Sequence, residues 1–335
     1  MIFGKQDAGI KSSLLHCPVE KFDRLFFSLM DHLNNLFTSN DPEDILKFYD
    51  YFDNVDQLIK WMRERPKGNH RIIEFNKENN DIIVVIPTMD VNGKFALACK
   101  NDIFNGLHII FVESGYNNYY FNYAHNCNAG IKKAMEYSPK WIVLSNDDMY
   151  KIDDITILKE KLLTLNNNII KVVFGSPTNY HSYPAMLSFP RLSRYILFSF
   201  LGKLRKYQLI LEKKYKVRYF ISPKKGSYRL FFRKIFSLEA VGNFCIFSSN
   251  FIRELDNYLL DETYINGGED LDLALKIAFD KISYSRVEFS IGDHLGSSLG
   301  KNTPQGLRYL KGTPRRLRDI ANMAYFNSKI NFKSN

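Results

Sequence analysis

Over residues 16–64 the apolar positions recur at steps of three and four. Phe22, Leu25, Phe26, Leu29, Leu33 and Phe37 line one side of a helical projection, which predicts an amphipathic helix. Ser39-Asn40-Asp41-Pro42-Glu43 breaks that pattern and starts a new one, with Asp41 placed as N-cap and Pro42 at the first helical position. Two more helices follow, over 45–52 and 55–63, and the Arg65-Pro66-Lys67-Gly68-Asn69 cluster closes the block.

From residue 81 the period changes. Ile82-Ile83-Val84-Val85-Ile86 is a short, continuous β-branched run, as expected of a strand buried on both faces. Residues 107–112, 141–144 and 170–174 repeat the texture, and a helical stretch at 128–137 lies between the second and third runs. A strand-like segment also covers 286–291. Alternating strands and helices predict a mostly parallel central sheet flanked by helices. In such sheets ligands gather beyond the carboxyl ends of the strands, so the residues to inspect are Thr88, Glu113-Ser114-Gly115 and Asn146-Asp147-Asp148.

Composition narrows the class. A chain of 335 residues, 45% hydrophobic and 24% charged, is that of a folded globular protein. Cys17, Cys99, Cys127 and Cys245 are widely spaced and form no CxxC, which favours a reduced, cytoplasmic setting over a disulfide framework or cysteine-bound zinc. No signal peptide or transmembrane run is expected. The net charge of +10 is local in origin: fourteen Lys/Arg against the single acid Glu212 lie in 191–236, leaving the remainder mildly acidic. Neither a P-loop nor a GxGxxG follows a strand.

Three motifs carry candidate chemistry. After the strand at 141–144, Asn146-Asp147-Asp148 offers oxygen ligands for a divalent cation that bridges a diphosphate; the competing reading is a polar turn in which Asp147 or Asp148 caps the helix near Asp153. Gly267-Gly268 leads into Glu269-Asp270 at the first turn of an apolar-periodic helix. These acids either cap the helix or supply a general base to an acceptor hydroxyl. His294, in Gly292-Asp293-His294-Leu295-Gly296-Ser297-Ser298, is either a hydrogen-bonding loop residue or the nitrogen that joins a carboxylate pair around a metal.

The order of these elements resembles family-2-type GT-A glycosyltransferases, closest to the rhamnosyltransferase-like branch. The likeness runs over about residues 80–300, through 82–88, Phe111-Val112-Glu113-Ser114, Asn122-Tyr123-Ala124, the NCNAGIKKA run from Asn126, Asp147-Asp148, Val241-Gly242-Asn243-Phe244, Asp261-Glu262, the segment 268–273 and His294. It implies a GT-A (nucleotide-diphospho-sugar transferase) fold and an inverting, metal-dependent transfer of a sugar. In that scheme Thr88, Glu113, Asn128, Gly130, Asn146 and Asp147 attend the nucleotide sugar, with Glu113 toward the base and Asn146 toward the ribose. Asp148 and His294 would hold Mn or Mg, and Asp270, with Glu269 beside it, would be the base. Asn146 stands where the family has its first Asp, and Glu113 replaces the usual aspartate. A catalytically silent, glycosyltransferase-like scaffold is the competing function.

The expected organisation is a helical N-terminal region at 1–78, a GT-A domain at 79–300 with a basic aromatic insertion at 191–236, and a basic helical tail at 301–335. For the insertion three readings stand: a solvated helix pair with its aromatics in the core, an anionic membrane surface, and nucleic acid, the last weakened by the absence of any RNA- or DNA-binding motif. The membrane reading, carried by 195–201 and its flanking Arg and Lys, makes the acceptor lipid-linked or membrane-proximal and the protein peripheral on an inner membrane face. Otherwise the acceptor is a glycan or a protein.

Overall fold

The computed structural model describes residues 19–116, 118–176, 184–190, 203–218, 220–223, 232–239, 242–294 and 313–333. Cys17, the apolar run 195–201, Val241 and the loop residues after His294 lie outside them. The chain divides into two compact units. One gathers 1–66, 189–220 and 304–335; the other gathers 67–188 and 221–303.

The first unit is helical. α1 (Val19–Thr38), α2 (Pro42–Asp50) and α3 (Val55–Glu64) form where the apolar period places them, and Asp41 caps α2 by accepting the Glu43 N–H at 2.9 Å. Phe37, Phe48, Phe52 and Trp61 are buried together, with Phe48 and Trp61 ring centroids 4.7 Å apart. α7 (Lys203–Lys214) and α10 (Thr313–Lys333) complete this unit. Tyr49 Oη donates to the Leu317 carbonyl at 2.5 Å, and Tyr215 Oη donates to the carbonyls of Tyr49 at 2.9 Å and Phe52 at 3.1 Å. Arg318, 2% exposed, donates from its guanidinium to the carbonyls of Thr38 and Ser39, so a residue of α10 caps the C-terminal end of α1. Burial pushes its guanidinium down to about 10, which leaves it cationic at neutral pH.

The second unit is α/β. Its elements are β1 (Arg71–Phe75), β2 (Ile82–Thr88), α4 (Lys94–Ala98), β3 (His108–Glu113), α5 (Tyr123–Met135), β4 (Trp141–Ser145), β5 (Met149–Lys151), α6 (Ile155–Thr164), β6 (Val172–Phe174), β7 (Pro184–Pro190), β8 (Phe220–Pro223), β9 (Phe232–Glu239), β10 (Phe244–Ser248), α8 (Ser249–Glu254), α9 (Glu269–Phe279), β11 (Tyr284–Arg286) and β12 (Ile291–Asp293). The central sheet has seven strands in the order β1-β3-β2-β4-β10-β6-β11. β2, β3, β4, β6 and β11 share one direction, and β1 and β10 oppose them. β2, β4 and β10 are buried at every position, which is why their sequences are continuous apolar runs.

Three expectations are corrected here. Residues 71–75, placed in the helical N-terminal region, form an edge strand in which Arg71 is exposed, whereas Glu74 turns in to His108 Nε2 at 3.2 Å and Tyr137 Oη at 2.7 Å. The 286–291 segment is not one strand: it links the end of β11 to the start of β12, two short strands that belong to different sheets. The insertion is not a helix pair: it supplies α7 to one unit, whereas β8 and β9 pair with β7 in a three-stranded sheet.

Candidate active site

Leaving β2, the chain crosses to β3 on one side; leaving β4, it goes on toward β10 and β6 on the other. The carboxyl ends of β2 and β4 therefore flank the switch point of the sheet, where ligands of open α/β sheets gather. Across it Thr88 Oγ1 donates to Asp147 Oδ2 at 2.7 Å, and both residues are buried. Cys99, just after α4, donates from Sγ to the Asp147 carbonyl at 3.2 Å. Burial, reinforced by the charges of Asp147 and Asp148, holds its thiol far above the usual range.

Asp148 and His294 are neighbours. β5 and β12 pair antiparallel with Asp293 opposite Met149, and the His294 N–H donates to the Asp148 carbonyl at 2.8 Å. Asp148 is 2% exposed, whereas His294 is exposed, with its ring 4.9 Å from that of Tyr150 and 5.8 Å from that of Phe95. Gly292 has no Cβ because the Tyr150 ring occupies that space. Behind the pair, Asn243 receives the Asn146 N–H on its carbonyl at 2.8 Å and donates its amide to Asp293. The helix that follows is capped by Asp154, which accepts from Thr156 N at 3.0 Å, so the capping alternative for Asp147 and Asp148 falls away.

Glu113 ends β3 directly beside Thr88, and its carboxylate is paired with Arg71 of β1. The same end of the sheet holds two residues that no sequence pattern marked. Tyr116, 57% exposed, donates from Oη to Asp90 Oδ2 at 3.2 Å, and its phenol is pushed up by burial and by the charges of Asp90, Asp147 and Glu113. An exposed aromatic ring thus stands beside the Asp90 carboxylate, just beyond the ends of β2 and β3.

The N-terminus of α5 is tied to the loop that feeds α9. Asn122 caps α5 by accepting from His125 N at 2.9 Å and donates to the carbonyls of Glu262 at 2.9 Å and Tyr264 at 3.0 Å. Asn266, held at φ 53°, accepts from Tyr123 N at 2.9 Å and donates to the Phe121 carbonyl at 3.2 Å. Tyr123 in turn donates from Oη to Asn146 Oδ1 at 2.8 Å. Asn146 and the start of α9 are therefore linked through one tyrosine. Glu269 is buried and Asp270 half-buried at the α9 N-terminus, with Asp270 Oδ1 accepting from Leu271 N at 2.8 Å and Gly268 supplying the left-handed N-cap at φ 99°.

Two residues expected at the nucleotide have other work. Asn128 donates to the Leu260 carbonyl at 2.8 Å and to Glu262 Oε1 at 3.0 Å, and accepts from Leu260 N at 3.0 Å, so its amide clamps the loop from inside. Gly130 faces the sheet: a Cβ there would fall on the side chains of Val85 and Val112, and its absence lets α5 lie close on β2 and β3. The two lie on different sides of α5, Asn128 toward the 260–262 loop and Gly130 toward the sheet, and both sides meet protein. Glu262 also accepts from His125 Nδ1 at 2.9 Å; burial opposes its ionisation, but the bonds from His125 and Asn128 outweigh it and hold the carboxyl below its usual value.

Among the described residues no group of three or more His, Cys, Asp or Glu is arranged to hold a metal ion. No family model matches this sequence, and no curated protein matches it either.

Proposed function

We propose that this protein is an inverting, divalent-cation-dependent glycosyltransferase of GT-A type. The observation that carries the reading is the pairing of Asp148 with His294 through β5 and β12, beside the Thr88–Asp147 hydrogen bond at the switch point. A central sheet in which antiparallel β10 lies between β4 and β6 supports it. So does the position of Asp270 in the first turn of α9, just after a loop whose Asn266 is bonded to Tyr123, the partner of Asn146.

In this reading the switch point receives a nucleoside-diphosphate sugar. Tyr116 and Glu113 offer a ring face and an acceptor at the nucleoside end, and Thr88 fixes the Asp147 carboxylate. Asp148 and His294 would hold Mn or Mg, which when bound neutralises charge on the diphosphate leaving group. Asp270, at the positive end of α9, takes the proton from an acceptor hydroxyl as that oxygen attacks the anomeric carbon. A single displacement inverts that centre.

The test is a panel of nucleotide sugars, with manganese present, assayed for binding by calorimetry and for slow hydrolysis. Binding of one donor, lost in Asp148→Ala, supports the proposal; no binding across the panel overturns it. A silent scaffold is favoured by one observation, the capture of Asn146 by Tyr123. Donor binding without turnover in the presence of candidate acceptors selects that reading.

A further inference from the structure

The helical unit carries a surface of another chemistry. α7 buries Leu211 and Glu212 on one side, and Tyr215 and Val217 continue that contact just beyond the helix. On the other side Ile210 is 59% exposed and Tyr207 40%, with Lys213 and Lys214 exposed beside them. The helical period of 3.6 brings positions 203 and 206, both lysines, to this same side. The exposed face is therefore an isoleucine and a tyrosine set among four lysine positions.

Nothing acidic on α7 offsets this charge. Residues 203–218 hold seven Lys/Arg, and Glu212, their one acid, is buried and receives Gln208 Nε2 at 2.8 Å. Lys214 also donates to the Tyr49 carbonyl at 3.3 Å, which leaves Lys213 as the exposed lysine of the face beside it, with lysines at sequence positions 203 and 206 on the same helical side. Ile210 is one of several exposed apolar side chains among the described residues; what sets it apart is its place within a lysine cluster. Aliphatic carbon flanked by long-stemmed lysines is the chemistry of a lipid headgroup layer: the stems and Ile210 enter the apolar boundary while the ammonium groups meet phosphate. Nucleic acid is the poorer partner, because it is held by stacking rings and forked guanidinium groups, and this face presents Ile210 at its centre and a single aromatic residue.

We propose that the exposed face of α7 is a docking surface for an anionic bilayer, seated by Ile210 and Tyr207 and held by lysines. No described helix is long and apolar enough to cross a membrane, and this contact needs none. It stands independently of the sugar-transfer reading.

The experiment is co-sedimentation of the full chain with vesicles of phosphatidylcholine containing roughly one third phosphatidylglycerol, at low salt. The expected result is binding that is lost on pure phosphatidylcholine and in about 0.5 M salt. Each lysine removed should weaken binding roughly fivefold, so Lys206→Gln with Lys213→Gln should lose roughly 25-fold. Ile210→Ser should lose several-fold with its thermal melt unchanged, whereas Lys161→Gln, on α6, should bind like the parent. Absence of sedimentation, or face variants that bind as well as the parent, overturns the proposal. Salt-sensitive capture of a single-stranded oligonucleotide without vesicle binding reassigns the face and overturns it as well.

Discussion

Thr88 shows how one hydroxyl can order a site. Its bond to Asp147 fixes a buried carboxylate at the end of a neighbouring strand. Thr88→Val keeps the shape and removes the donor; it should cost about 1–3 kcal/mol in denaturant unfolding, because the acceptor remains buried. Asp270→Asn separates chemistry from binding: transfer should vanish while calorimetry still detects the donor, and full activity in that variant removes Asp270 from the base role. Acid should act elsewhere. Burial holds the His70 imidazole below its usual pKa, with His125 adding to the effect, so folding favours its neutral form. That contribution is present above about pH 6.5 and is lost as pH falls through the lower folded value. Glu262 has a depressed folded pKa, so its share is present above about pH 4.3 and fades as the carboxylate is protonated below that. A melting-temperature profile should therefore decline on the acid side in two stages, and Glu262→Gln should flatten the second.

Among the elements, α5 does most to connect strand ends with the α9 loop. Gly130→Ala should destabilise the protein by about 1–3 kcal/mol, since a methyl group has to displace Val85 and Val112. Asn128→Ala should cost at least as much and should also loosen residues 260–262, seen as faster hydrogen exchange there. These two positions also show what sequence patterns reveal. β2, β3 and β4 were legible because strands buried on both faces leave unbroken β-branched runs, and the motif residues at their ends followed from that. β1 was not, because a five-residue edge strand with Arg71 and Glu74 among its apolar positions lacks such a run. Asn128 and Gly130 were recognisable as a motif but not as packing residues, since a sequence does not say which helix face meets a sheet. Tyr116 and Asp90 sit in loops without periodicity, so only coordinates place them beside the switch point.

At the scale of the whole molecule, linear order and spatial order part company. The seven-stranded sheet is α/β as expected, but β10 enters it between β4 and β6, an arrangement fixed by pairing partners far apart in the chain. The two units each hold one of the two tryptophans, Trp61 in the helical unit and Trp141 in the sheet. Arg318→Met should therefore redden the emission of Trp61, measured in a Trp141→Phe background. The helical unit loses about 2–3 kcal/mol with the charged cap of α1. That cap bears on how the protein is made. α1 to α3 leave the ribosome early, yet the group that closes α1 and the backbone that receives Tyr49 reside on α10, some 268 residues later. At typical elongation rates the first helices wait on the order of tens of seconds with an aromatic cluster uncovered. A chain truncated before α10 should therefore leave that cluster open to protease even with every strand of the sheet already synthesised, seen as faster limited proteolysis within 19–64 than in the full chain.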